Sequence, residues 1–185
     1  DSEVAIYMED LLLPIHARNY SGKEYNNMMT TIRKCLELIF ISMAENGLLP
    51  NKKNNGKYVF HDILVDSKGG INTTWCSLIL SGKDVKVGDK IRRESTNILP
   101  NVLKDSFQRL KEISAAYEHT VNKNANEQQQ KNSRQTPEFL ESLGNPPYLL
   151  QSMTLELCNI ILWYANYLEE HDDEELNALN WNIIQ

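Results

Sequence analysis

Residues 22–46 read GKEYNNMMTTIRKCLELIFISMAEN. Apolar side chains recur at Tyr25, Met28, Met29, Ile32, Cys35, Leu36, Ile39, Phe40 and Met43. Steps of three and four residues line one face of an α-helix, because a turn takes 3.6 residues. Ser21 and Glu24 form a Ser-x-x-Glu capping box, which satisfies amide groups that no intrahelical carbonyl can reach. Gly47 is a natural stop, since glycine accepts the left-handed backbone that follows a last turn. The stretch therefore predicts a helix over 22–46 that needs partners for its apolar face.

Two further segments supply such partners. The spacing of Leu99, Leu103, Phe107, Leu110, Ile113, Tyr117 and Val121 predicts a helix over 98–122, with Pro100 in its first turn. After Pro146 and Pro147, a stripe of Leu150, Met153, Leu157, Ile160, Ile161, Tyr164 and Leu168 predicts a helix over 147–170. Leu155, Leu162 and Trp163 lie off that stripe, so this helix needs cover on more than one side.

The remaining segments are shorter. Ser2–Leu13 reads as a helix with Val4, Tyr7, Met8, Leu11 and Leu12 inward, interrupted or bent by Pro14. Asn51–Lys57 reads as an exposed loop and Tyr58–Val65 as a short strand. Asn72 is placed to cap a helix over 73–80 that stops at Gly82, and 83–95 is charged and loop-like. Residues 123–135 have almost nothing to bury and read as a mobile loop. Thr136 is placed to cap a short helix over 137–143, and 176–184 reads as a last short helix. The expectation is one all-α domain over 1–185: a bundle of five or six helices with an irregular insertion at about 50–95.

Composition narrows the function classes. The chain has 185 residues, net charge −6 and 24% charged residues, ordinary values for a globular domain. Bulk charge does not favour nucleic acid, although a local basic patch is compatible with it. No apolar run is long and uninterrupted enough for a membrane span, and the start lacks the pattern of a signal peptide. A cytoplasmic protein without membrane contact is expected. Cys35, Cys76 and Cys158 are scattered and odd in number, which argues against a disulfide framework or a thiolate metal site. Cys35 and Cys158 fall in helical stripes and read as small buried hydrophobes.

No glycine-rich phosphate loop, Gly-x-Ser-x-Gly elbow or His-Glu-x-x-His is present. Two His-Asp pairs occur, His61-Asp62 and His171-Asp172. Imidazole and carboxylate together can hold a divalent metal and orient a water. Here one pair lies in a strand-like stretch and the other in an acidic run, so neither a metal nor another cofactor is expected.

Three segments carry a family resemblance: Thr31–Ile41 (TIRKCLELIFI), Ile113–Val121 (ISAAYEHTV) and the apolar helix Pro147–Leu168. In this order they resemble the HEPN superfamily of helical domains from prokaryotic defence and toxin systems, in its branch with an Arg-x-x-Leu-Glu helix. The likeness covers about residues 1–170. It implies a helical bundle that often dimerises and, in some members, metal-independent ribonuclease activity from an Arg and a His separated by four to six residues. This chain departs from that motif. The nearest arginine before His119 is Arg109, ten positions earlier, roughly 15 Å along a helix axis.

The candidate catalytic residues are Arg33, Glu37 and His119, which would converge only across two helices. A structural Arg33–Glu37 ion pair is the plainer reading of the first two. The candidate binding residues are Lys86, Lys90, Arg92 and Arg93, a basic cluster interrupted by acids and suited either to solvent or to phosphate. The leading expectation is a non-catalytic or degenerate HEPN-like module for homodimerisation and partner or RNA binding. The alternatives are a ribonuclease with a rearranged Arg/Glu/His site and an unrelated structural or regulatory helical protein.

Overall fold

A computed structural model of the chain describes residues 2–17, 22–67, 69–81, 91–92, 98–121, 141–144, 146–171 and 182–183. The elements in chain order are α1 (Ser2–Ala17), α2 (Gly22–Glu45), β1 (Asn51–Asn54), β2 (Lys57–Phe60), a 3-10 turn (Asp62–Leu64) and α3 (Thr73–Leu80). They continue with β3 (Ile91–Arg92), α4 (Asn101–Val121), α5 (Pro147–Glu170) and β4 (Asn182–Ile183). The fold is an all-α helical bundle. Strands among the described residues form only two short antiparallel ribbons, β1–β2 and β3–β4.

The chain divides into two compact units. One comprises Asp1–Leu36 and Arg109–Asn159. Its core is the first half of the predicted α2 stripe (Tyr25, Met29, Ile32 and Leu36) with Leu110, Leu150, Met153 and Leu157, all buried. Two hydroxyls are buried there, and each donates back to a carbonyl one turn earlier: Ser114 to Leu110 at 2.5 Å and Thr154 to Leu150 at 2.9 Å. They are therefore satisfied without any partner from another element. Burial pushes the Cys35 thiol up to about 12, which keeps it protonated and inert. Cys158 is only half-buried, not the core residue its stripe suggests.

The other unit comprises Glu37–Gln108 and Ile160–Gln185. Phe40 and Phe107 stack with ring centres 5.2 Å apart in a core that includes Met43, Leu64, Leu80, Leu99 and Ile160. Tyr164 brings a hydroxyl to the edge of this core. Its oxygen lies 3.0 Å from the Ser42 hydroxyl and accepts from Asn46 Nδ2 at 3.1 Å. Asn46 Nδ2 also donates to the Ser42 carbonyl at 2.8 Å. Asn72 caps α3 as expected, its side chain accepting from the Trp75 amide at 3.1 Å.

Several boundaries differ from the sequence expectation. Helix α1 runs through Pro14 to Ala17. Proline lacks the amide proton that would reach the Asp10 carbonyl, yet this single missing bond does not end the helix here. Pro100 stands before α4 rather than inside it, and its carbonyl accepts from Leu103 and Lys104 at 2.9 and 3.1 Å, as a cap does. The stretch expected to be a loop at 51–57 is the first strand and turn of a hairpin, in register Asn51↔Phe60 to Asn54↔Lys57. Asn55 and Gly56 have φ of 50° and 82°, the double positive φ of a type I′ turn. Residues 182–183, expected in a last helix, are a strand that pairs with Ile91–Arg92. Ser21, Gly82, the loop at 123–135 and most of the helix expected over 137–143 lie outside the described residues.

Candidate functional site

Arg33 and Glu37 occupy successive turns of α2 and both are half-buried. On α4, Lys111 feels the charge of Arg33. Burial lowers its ammonium below the ordinary lysine range, the Arg33 guanidinium lowers it further, and Glu112 works against both. His119 is helical in its backbone, and its side chain is outside the described atoms. It lies eight residues beyond Lys111, about 12 Å further along the axis. Of the binding candidates, Arg92 has a described backbone only, in β3, and Lys86, Lys90 and Arg93 lie outside the described residues.

The two His-Asp pairs find different uses. His61 closes the hairpin: its amide donates to the Pro50 carbonyl at 3.1 Å and its Nδ1 accepts from the Ile63 amide at 3.1 Å, capping the 3-10 turn. Partial burial holds the imidazole below the usual histidine range, against a pull upward from Asp62 and with a push downward from Lys52. Asp62 is engaged by Lys52 at 2.5 Å, a hydrogen bond that lowers its carboxyl below the usual range. His171 follows the last turn of α5. Its ring stacks on Tyr167 with centres 4.1 Å apart, and Nδ1 lies 2.9 Å from the Tyr167 carbonyl. A carbonyl can only accept, so this nitrogen carries the proton. Among the described residues no three His, Cys, Asp or Glu side chains group to hold a metal ion. No helix among them is long and apolar enough to cross a membrane.

The feature that stands out chemically is the outer face of α5. Tyr148, Leu155 and Leu162 are 79%, 63% and 61% exposed. They are spaced by seven residues, which keeps them in one row along this continuous helix. From Tyr148 to Leu168 the helix carries one charge, Glu156, and that charge is taken up by Arg109. The Arg109 guanidinium forms an ion pair with Glu156 and also reaches the Ser152 hydroxyl at 3.5 Å. The exposed face therefore carries no free charge. Leu155 and Leu162 lie off the buried stripe, as their sequence positions indicate. Trp163 does not join them in solvent: it is half-buried, with its ring 5.7 Å from that of Tyr167. Tyr148 completes the row. The seven-residue interval was the available sign of it, masked by the stronger apolar stripe beside it.

No protein-family model, curated protein or solved structure matches this chain.

Proposed function

We propose that the chain is a non-catalytic helical module that pairs with a second copy through the outer face of α5. The observation that carries this reading is the uncharged row Tyr148–Leu155–Leu162, left exposed on a helix whose other side is core. A charged partner would find nothing to pair with there, whereas an identical face offers the same apolar row. Closed two-fold pairing is the commonest soluble assembly. An antiparallel arrangement also keeps the acidic helix ends, Glu169 and Glu170, apart. Full burial of a large apolar side chain contributes about 1.5–3 kcal/mol, and association costs about 4–15 kcal/mol. Six such side chains, three from each copy, give about 9–18 kcal/mol, of the same order as that cost, so the pairing is concentration-dependent.

In this reading the module is cytoplasmic and HEPN-like but degenerate, suited to a prokaryotic defence or toxin system, with a partner protein or an RNA held by the paired domain. The absence of a compact Arg–His motif in the sequence supports the non-catalytic form. Gel filtration at tens of micromolar tests the pairing: wild type elutes as a dimer, and Leu155→Glu with Leu162→Glu elutes as a folded monomer. Equal elution of the two as monomers defeats the proposal. Metal-free cleavage of RNA that disappears in His119→Ala would replace it with the rearranged ribonuclease.

A further inference from the structure

The outer face of α5 holds a finer pattern than one apolar row. Tyr148, Leu155 and Leu162 alternate with Ser152, Asn159 and Asn166, so that successive positions lie four and three residues apart. Both asparagines are exposed and Ser152 is half-buried. Alternating steps of four and three trace the seam of a two-stranded coiled coil. In such a seam one position of each heptad holds large apolar residues, and a polar residue at the other fixes the register at a cost in stability. Here the first position is Tyr, Leu, Leu and the second is Ser, Asn, Asn. The next place in the series is Glu169, the first charge the seam meets.

Two copies can close this seam in either direction. With the helices parallel, each residue meets its own copy. Glu169 then faces Glu169, with Glu170 close by, at helix ends whose dipole is already negative. Reversing one helix exchanges the two seam positions, so large side chains meet small or amide ones. It also brings Glu169 and Glu170 level with the start of the partner's α5, where the dipole is positive. One antiparallel register gives every seam residue a counterpart. It sets Leu155 against the partner's Asn159, Leu162 against the partner's Ser152 and Tyr148 against the partner's Asn166. A slip of one heptad leaves either Leu162 and Asn166 or Tyr148 and Ser152 beyond the partner's seam. Serine leaves room for a leucine, and the tyrosine hydroxyl can exchange a hydrogen bond with the asparagine amide at both ends. We infer that the two copies meet antiparallel in this register, with Tyr148 and Asn166 fixing the alignment and Asn159 holding the affinity down. The inference rests on the self-pairing reading above and names the geometry of that same surface.

The test separates the register from the pairing. Variants are made in a Cys158→Ser background, because Cys158 is the half-buried native thiol while Cys35 and Cys76 are buried. Sedimentation equilibrium first gives the mass of each, and a short bis-maleimide then probes the seam. Tyr148→Cys with Asn166→Cys is expected to yield a covalent dimer, since each new thiol faces its counterpart across helices about 8–10 Å apart. Tyr148→Cys alone is expected to yield none, because the two copies of position 148 lie about 27 Å apart along the axis. A dimer in solution whose double variant does not crosslink, or whose single variant does, overturns the register and leaves the pairing standing. A wild type that stays monomeric at tens of micromolar overturns both. Asn159→Leu needs no cysteine and decides the matter if the thiol variants no longer pair. It puts a leucine opposite Leu155 in two layers and should tighten the dimer about tenfold or more. An unchanged or weaker dissociation constant places Asn159 outside the seam and overturns the register.

Discussion

The exposed positions of α4 include Asp105, Gln108, Arg109 and Glu112; those of α5 before its acidic end are Tyr148, Leu155, Asn159, Leu162, Ala165 and Asn166. Both helices bury one face of Leu, Phe or Met, and both expose the other. On α4 the exposed side is built of groups that water solvates well. On α5 it is built of two leucines, a tyrosine and neutral amides. Scattered apolar residues on a surface are ordinary, and Val102 on α4 is one. A row of three at constant spacing on a charge-free face is the pattern of a contact surface. The difference teaches that burial within one chain does not exhaust the apolar content of α5.

The largest test of that contrast lies within α5 itself. Leu157 is fully buried and Leu155 is 63% exposed, two residues apart on one helix. Leu157→Ala is expected to lower the unfolding free energy by about 2–5 kcal/mol. Leu155→Ala, measured at a dilution that keeps the protein monomeric, should change it by about 0.5 kcal/mol or less. Similar losses at the two positions in urea unfolding would mean that Leu155 is core and that the outer face does not exist.

A smaller effect is expected at the point where α4 supplies the charge that α5 lacks. Glu156 keeps only 14% of its side chain in solvent and is paired with Arg109, which is 51% exposed. Arg109→Ala leaves that largely sheltered carboxylate without its cation. Because the arginine is half in water, the loss should be about 1 kcal/mol. It should shrink in high salt, where the intact pair is itself screened. A loss independent of salt would assign the effect to packing of the arginine stem.

The smallest effect concerns the His-Asp pairs, which share a dipeptide and little else. His61 must keep Nδ1 free of a proton to cap the 3-10 turn, and His171 must keep a proton on Nδ1 to reach the Tyr167 carbonyl. Since the folded state holds the His61 pKa below its unfolded value, the unfolded chain binds the proton first as pH falls. The cap's contribution is therefore complete above about pH 6.5. It is lost as pH falls through the lowered folded pKa. The ring is only partly buried, so the size is that of a weak cap, at most about 1 kcal/mol. His61→Asn, which keeps an acceptor without a titration near neutral pH, should flatten this part of the melting temperature against pH. An unchanged profile in the variant would remove His61 from the account.

The helices were legible in the sequence because their apolar residues repeat over five or more turns, and no local turn chemistry competes with that pattern. Residues 22–46 and 147–170 match α2 and α5 nearly to the residue. The hairpin was less legible. Lys52, Lys53, Asn54 and Asn55 have low strand propensity, and only the Asn55–Gly56 pair announces the turn. Pro14 misled in the opposite direction, because one missing hydrogen bond weighs less than the turns on either side of it. For the candidate site, the sequence shows that Leu155 and Leu162 leave the buried stripe. It does not show that Trp163 folds back toward Tyr167, because a side chain's lean depends on the neighbour it finds.

Sedimentation equilibrium of the wild-type chain over a range of concentrations bears most directly on the outer face of α5. The pairing account predicts a mass moving from near 21.3 kDa when dilute to twice that value at tens of micromolar, and a shift that vanishes when Leu155 and Leu162 are replaced by glutamate. A wild-type mass that stays at the monomer value throughout, with no larger species at any concentration, would contradict it.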